Sequence, residues 1–166
     1  RETAGAHGRP SVVSRDEKEQ AEVSIPDPNE TIVTRARRLR ASDASVEDAS
    51  GARSLASILD EAYALAALLA ARGVERGDRV LLAGAASPAW ARALFALLGL
   101  GAVAVPVAVS ASRAELEVLA KDAGAKLALV TSDADLPFPP SVAVERVVAA
   151  PPVAASMPAL FGAAPG

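Results

Sequence analysis

The chain contains no cysteine, which excludes a disulfide framework, a Cys-ligated zinc and a thiol nucleophile. Histidine occurs once, at His7, so little imidazole is on hand for acid–base or metal chemistry. Aromatic residues make up 3% of the chain, with one tryptophan (Trp90) and one tyrosine (Tyr63). There is no excess of positive charge. Lys and Arg number 17 against 20 Asp and Glu, for a net charge of −3, so the electrostatic footprint of a nucleic-acid partner is missing. No charged-then-apolar leader follows Arg1, so no signal peptide is read, and the sequence reads as cut at both ends. A reducing cytoplasm fits, and a cytoplasmic location is the expectation. What the 166 residues do have is 51% hydrophobic content, enough for one domain to bury a core. Much of that content is alanine, which fills less volume than the percentage implies.

One run tests whether the chain crosses a membrane. From Ala93 to Ser112 no residue is charged, the length of a spanning helix. Gly99 and Gly101 interrupt the run, Pro106 falls near its centre, and Val103, Val105, Val107 and Val109 alternate at period two. A helix that stops at glycine and a strand that begins there account for this better, and no membrane span is expected.

Residues 1–28 mix charges, Gly, Ser and Pro without periodicity, and read as a disordered arm or linker. An α/β domain is expected over 29–148. Asn29 caps a short helix through Leu39, with Ile32, Val33, Ala36 and Leu39 on one side. Ser45 to Asp48 is a candidate strand, turned by Ser50–Gly51 into a helix that Ser54 caps. Leu55, Ile58, Leu59, Ala62, Leu65, Ala66 and Leu69 form its apolar stripe, and Gly73 ends it. Apolar strands are expected at 79–84, 103–109 and 126–131, with Leu81, Val105 and Leu129 buried. Helices over 88–98 and 113–123 separate them. The second carries a capping box, Ser112–Arg113–Ala114–Glu115, and stops at Gly124. Strand–helix–strand–helix–strand predicts a βαβαβ core of parallel strands with right-handed crossovers. If these strands step in one direction, both helices fall on one face. An apolar strip then stays open, and the chain on its own is expected to be poorly soluble or loosely packed. Val142, Val144, Val147 and Val148 form a possible further strand, and residues 149–166 read as a Pro/Ala-rich linker.

Several residues invite chemistry, each with a plainer alternative. Ser87, between strand and helix, resembles a nucleophile elbow. Its neighbours at two residues are Ala85 and Ala89 rather than glycines, however, and no base is near. Ser87 as N-cap with Pro88 at the first helical position is the simpler reading. Gly84–Ala85–Ala86–Ser87 lacks the second and third glycines of a dinucleotide fingerprint. Asp133 and Asp135 follow the third strand but lack the further ligands a metal needs. Arg35, Arg37, Arg38 and Arg40 could hold a phosphate, or simply complement a helix C-terminus. Trp90 could line a pocket or pack in the core, and Tyr63 reads as a packing residue.

Three stretches together resemble one enzyme family. Ala70 to Leu82 contains Gly73–Val74–Glu75–Arg76–Gly77–Asp78–Arg79–Val80. Ser87–Pro88–Ala89–Trp90 opens the next helix, and Leu98–Gly99–Leu100–Gly101–Ala102–Val103–Ala104–Val105–Pro106 follows. In order and spacing this is similar to the opening of the adenylate-forming ligases: acyl-CoA synthetases, acyl-carrier-protein ligases and peptide-synthetase adenylation domains. The resemblance covers roughly residues 29–135. The family's Thr/Ser-Tyr-x-Glu-Leu signature is replaced here by Arg53–Ser54–Leu55–Ala56–Ser57–Ile58–Leu59. Gly99 and Ala104 stand where lysine and tyrosine are common. The resemblance implies the start of the large N-terminal domain of such a ligase, an α/β fold with a partial parallel sheet. It implies ATP, magnesium and CoA or phosphopantetheine as cofactors of the complete enzyme, which forms an acyl-adenylate and then a thioester. The implied partners are a carboxylic acid, an acyl carrier protein and the remaining ligase domain. No Ser/Thr/Gly-rich phosphate loop ending in Pro-Lys occurs in these residues, so no catalytic, cofactor-binding or metal residue is assigned. The rival reading is a non-catalytic Rossmann-like binding module.

Overall fold

The computed structural model describes residues 31–49 and 51–148. The arm at 1–28, Asn29 and the segment 149–166 lie outside them. A four-stranded sheet is built from β3 (Arg79–Ala83), β4 (Val103–Val107), β5 (Leu127–Val130) and β6 (Ala143–Arg146), in the order β4-β3-β5-β6. All three pairings are parallel, with Leu81 opposite Val105 on one side and Ala128 on the other. The βαβαβ core is therefore as expected, and a fourth parallel strand follows it at Ala143–Arg146. Of the valines expected to form it, only Val144 lies within the strand, and Val142, Val147 and Val148 flank it.

Three helices enclose this sheet, and their limits follow from local chemistry. Ser54, Ser87 and Ser112 cap α2 (Leu55–Ala71), α3 (Pro88–Leu100) and α4 (Arg113–Ala123), each hydroxyl accepting from the amide three residues on. Such a cap satisfies one of the amide donors that a helix start leaves open. All three helices end in the same way. The amides of Gly73, Gly101 and Gly124 donate to Ala70, Leu98 and Lys121, and those of Val74, Ala102 and Ala125 donate to Leu69, Leu97 and Ala120. This pair of bonds requires a positive φ at the glycine, here +84°, +73° and +64°, a conformation that costs glycine least.

Strand order decides which face each helix covers. β3 lies in the middle, so the chain steps one way through α3 to β4, then back across β3 through α4 to β5. With right-handed crossovers, these opposite steps place α3 and α4 on opposite faces. The core confirms it. Val80, Leu82 and Leu129 pack with Leu65, Leu69, Ala93 and Leu97 of α2 and α3, whereas Leu81, Ala128 and Val130 pack with Leu116 and Ala120 of α4. The expectation of one shared face is thus corrected. The open strip argued from it is replaced by exposed apolar residues on the outer strands, Val103 and Val144, and on α4, Val118 and Leu119.

Other expectations change in detail. Thr31 caps α1 (Ile32–Arg38), and Ile32, placed on the packing side, is 56% exposed. The segment read as a turn after Ser45–Asp48 (β1) is a strand, β2 (Gly51–Ser54), paired antiparallel with it. Helix α3 runs through Gly99, and Gly101 alone stops it. Val105 is half-buried rather than buried, because β4 is an edge strand. Strands β4 and β5 are shorter than expected, ending at Val107 and Val130.

Candidate functional site

In an open α/β sheet, ligands bind beyond the C-terminal ends of the strands where the winding direction reverses. Here the reversal falls between β3 and β5, whose ends lead into Gly84 and Thr131. The backbones meet closely there. The Thr131 amide and hydroxyl both donate to the Ala83 carbonyl, at 2.9 and 3.2 Å. Gly84 has φ +151°, and a Cβ there would lie 1.9 Å from the Thr131 hydroxyl oxygen. Beside this contact is a cavity of about 450 Å³, lined among others by Arg53, Glu61, Ser87, Arg92, Thr131 and Ser132. A larger groove of about 700 Å³ runs along the opposite edge, past Arg72, Asp78, Lys126 and Glu145. That is the edge where the strands begin, so the switch-point cavity is the better candidate.

The cavity wall holds a buried charge network. Glu61 and Arg92 are 7% and 4% exposed. Arg92 Nη1 donates to Glu61 Oε2 at 3.1 Å, and Glu61 Oε1 accepts from Ser57 Oγ at 3.2 Å and from Arg53 Nη2. The second Arg92 amino group donates to the carbonyls of Val147 and Val148, the latter at 3.1 Å. Breaking such a pair by removing one partner typically costs about 3–5 kcal/mol, since it strands a buried charge. Neither residue was singled out from the sequence. The available signal was that Arg92 is the only charge in α3, PAWARALFALLGL.

The residues weighed in sequence take structural positions. Ser87 accepts from the Trp90 amide at 3.1 Å with Pro88 next in the helix, and no histidine occurs among the described residues to serve it as base. Trp90 is half-buried against the α2/α3 core. Tyr63 is 8% exposed and accepts from Arg37 Nε at 3.0 Å, while Arg40 meets Asp60 at 2.6 Å. These two arginines tie the first helical segment to α2 rather than forming a phosphate cradle. Asp133 and Asp135 are exposed, and Asp135 pairs with Arg146 at 3.2 Å. No group of three or more His, Cys, Asp or Glu that could hold a metal ion occurs among the described residues. No helix there is long and apolar enough to cross a membrane.

The motifs behind the resemblance are joints of the scaffold. The Asp78 carboxylate accepts from the Glu75 amide at 2.8 Å and closes the turn. The Gly77 amide then donates to the Gly101 carbonyl, and the Asp78 carbonyl accepts from Val103, at 2.9 and 2.8 Å. The Gly-Asp turn thereby aligns the starts of β3 and β4.

Comparison with known proteins agrees with this scaffold. The family described as AMP-binding enzyme matches residues 33–163, and the chain belongs to that family. Among solved structures, the nonribosomal peptide synthetase FmoA3 matches with a TM-score of 0.66 at 21% identity, over 76% of this chain and 14% of that one. CmiS6 matches with a TM-score of 0.60 at 28% identity, over 69% of this chain and 28% of its own. The N-terminal subdomain of Klebsiella oxytoca NpsA matches with a TM-score of 0.62 at 20% identity, over 72% and 31%. The chain thus spans less than a third of each of these relatives. No curated protein sequence matches it.

Proposed function

We propose that this chain is the opening α/β part of the large N-terminal domain of an ATP-dependent carboxylate-activating ligase. The complete enzyme forms an acyl-adenylate and passes the acyl group to a thiol, on CoA or on the phosphopantetheine of a carrier protein. Shielding the adenylate from water is then a task shared with the rest of the protein. The observation that carries the reading is the family match over 33–163, falling on a fold shared with the NpsA N-terminal subdomain. One FmoA3 structure is an AMPPNP-bound form, which supports ATP as the nucleotide. The described residues do not themselves fit ATP or magnesium: they offer no cluster of metal-binding side chains and no glycine-rich loop with a lysine to cradle phosphates. We therefore assign no catalytic, cofactor or metal residue to this chain and derive no step through those groups. In this reading 1–28 is an arm, 29–148 the domain and 149–166 a linker, in a cytoplasmic enzyme.

The test is carboxylate-dependent exchange of pyrophosphate into ATP, measured on this chain and on a longer polypeptide read from the downstream coding sequence. Exchange with the longer protein only is the expected result. Exchange by the 166 residues alone would overturn the assignment of no catalytic residue. Silence from the longer protein across a panel of carboxylic acids would favour the binding-module reading, which the switch-point cavity otherwise supports.

A further inference from the structure

Strand β6 is the last and outermost strand described on its side of the sheet, four residues long, and its link to β5 contains no helix. Such a strand has little to fix the direction in which the chain leaves it. The Val147 amide still donates to Val130 at 2.9 Å, one step past the strand, but Val148 is 42% exposed. At this point the buried Arg92 intervenes. One amino group takes the carbonyls of Val147 and Val148 together, while the other is held by Glu61. A guanidinium is a rigid planar fork, so a fork fixed at Glu61 fixes the orientation of both carbonyls. Glu61 is in turn steadied by Ser57 and Arg53.

We propose that Arg92, held by Glu61, is a positioning residue that sets the path of the chain where it leaves β6 at the rim of the switch-point cavity. Apolar residues of similar volume could fill the same space, and replacing a buried ion pair in this way is often neutral for stability. What they could not do is bind two successive carbonyls in one orientation. The inference concerns chain path and does not depend on the reaction proposed above.

Trypsin reads the path directly, because Arg146 is exposed and its bond to Val147 lies at the exit. The bond after Arg79 opens the central strand and serves as the reference for global unfolding. Cleavage at both bonds would be followed by mass spectrometry in the 166-residue protein, in E61L/R92M and in R92K. The expected result for E61L/R92M is a rise of about tenfold in cleavage after Arg146 relative to cleavage after Arg79, reporting the local open population. R92K keeps the charge but loses the fork, and should raise the same ratio by a smaller factor. A ratio unchanged in both variants overturns the proposal. So does a parallel rise at both bonds, which would mean that Arg92 supports the domain as a whole rather than its exit.

Discussion

Strands β3 and β4 are each five residues long and lie side by side in register, yet they meet different fates. In β3, RVLLA, the last four residues are all buried; in β4, VAVPV, only Val107 is. Hydrophobicity does not separate them, since Val105 is apolar like its fully buried partner Leu81, and Val103 is exposed although it is more apolar than its partner Arg79. Position does: among the described residues, β3 has a strand on each side and β4 on one only. The mark of that position was present in the sequence as Pro106. Proline cannot donate to a strand ladder and is confined to edges and bulges. An apolar run thus identifies a strand, and its breaker residue locates the strand within the sheet.

The largest effect should come from truncating the centre. Leu81→Ala removes a fully buried side chain and should cost about 2–5 kcal/mol, whereas Val103→Ala, at a position 46% exposed, should cost less than about 1 kcal/mol. Equal losses in urea unfolding would break the comparison. Next comes the close approach at the end of β3. Gly84→Ala combines an unfavourable φ with a clash against Thr131, and a loss on the order of 1–3 kcal/mol is expected. Adding Thr131→Ala should recover part of it, which a melt of the double variant would show.

A smaller effect sharpens the edge character of β4. Val103→Lys should leave the midpoint of unfolding nearly unchanged but reduce self-association in sedimentation, as charges do on open edges. Unaltered association would locate the sticky surface elsewhere. The smallest effect is at α4. Hydrogen bonds from the Ser112 backbone and then its side chain hold the Glu115 carboxyl below its usual value of 4.5. A carboxyl lowered on folding adds stability that is present above its unfolded value and lost as pH falls through the folded one. Glu115→Gln should therefore flatten the pH dependence of unfolding slightly below about pH 4.5 and leave neutral pH little changed.

Much of this fold was legible because its signals are local. Ser54, Ser87 and Ser112 as caps and Gly73 and Gly124 as stops needed only neighbouring residues, and each stands where expected. Strand order was not legible, because nothing in a strand's own residues states which partner it takes across a crossover. Hence the shared helix face and the buried Val105 were both misplaced. The hairpin partner Gly51–Ser54 was missed because GARS has neither apolar alternation nor burial. The candidate site was the least legible part: Glu61 and Arg92 are 31 residues apart, and only the packing of α2 on α3 brings them together.

The order β4-β3-β5-β6 also has a consequence for a chain made from its N-terminus on the ribosome. The middle strand is synthesised first. Each later strand then emerges to find its neighbour already made: β4 beside β3, β5 on the other flank, β6 beside β5. Among the described strands of this sheet, none after β3 waits for a neighbour not yet translated, so the sheet grows outward from β3 as the chain lengthens.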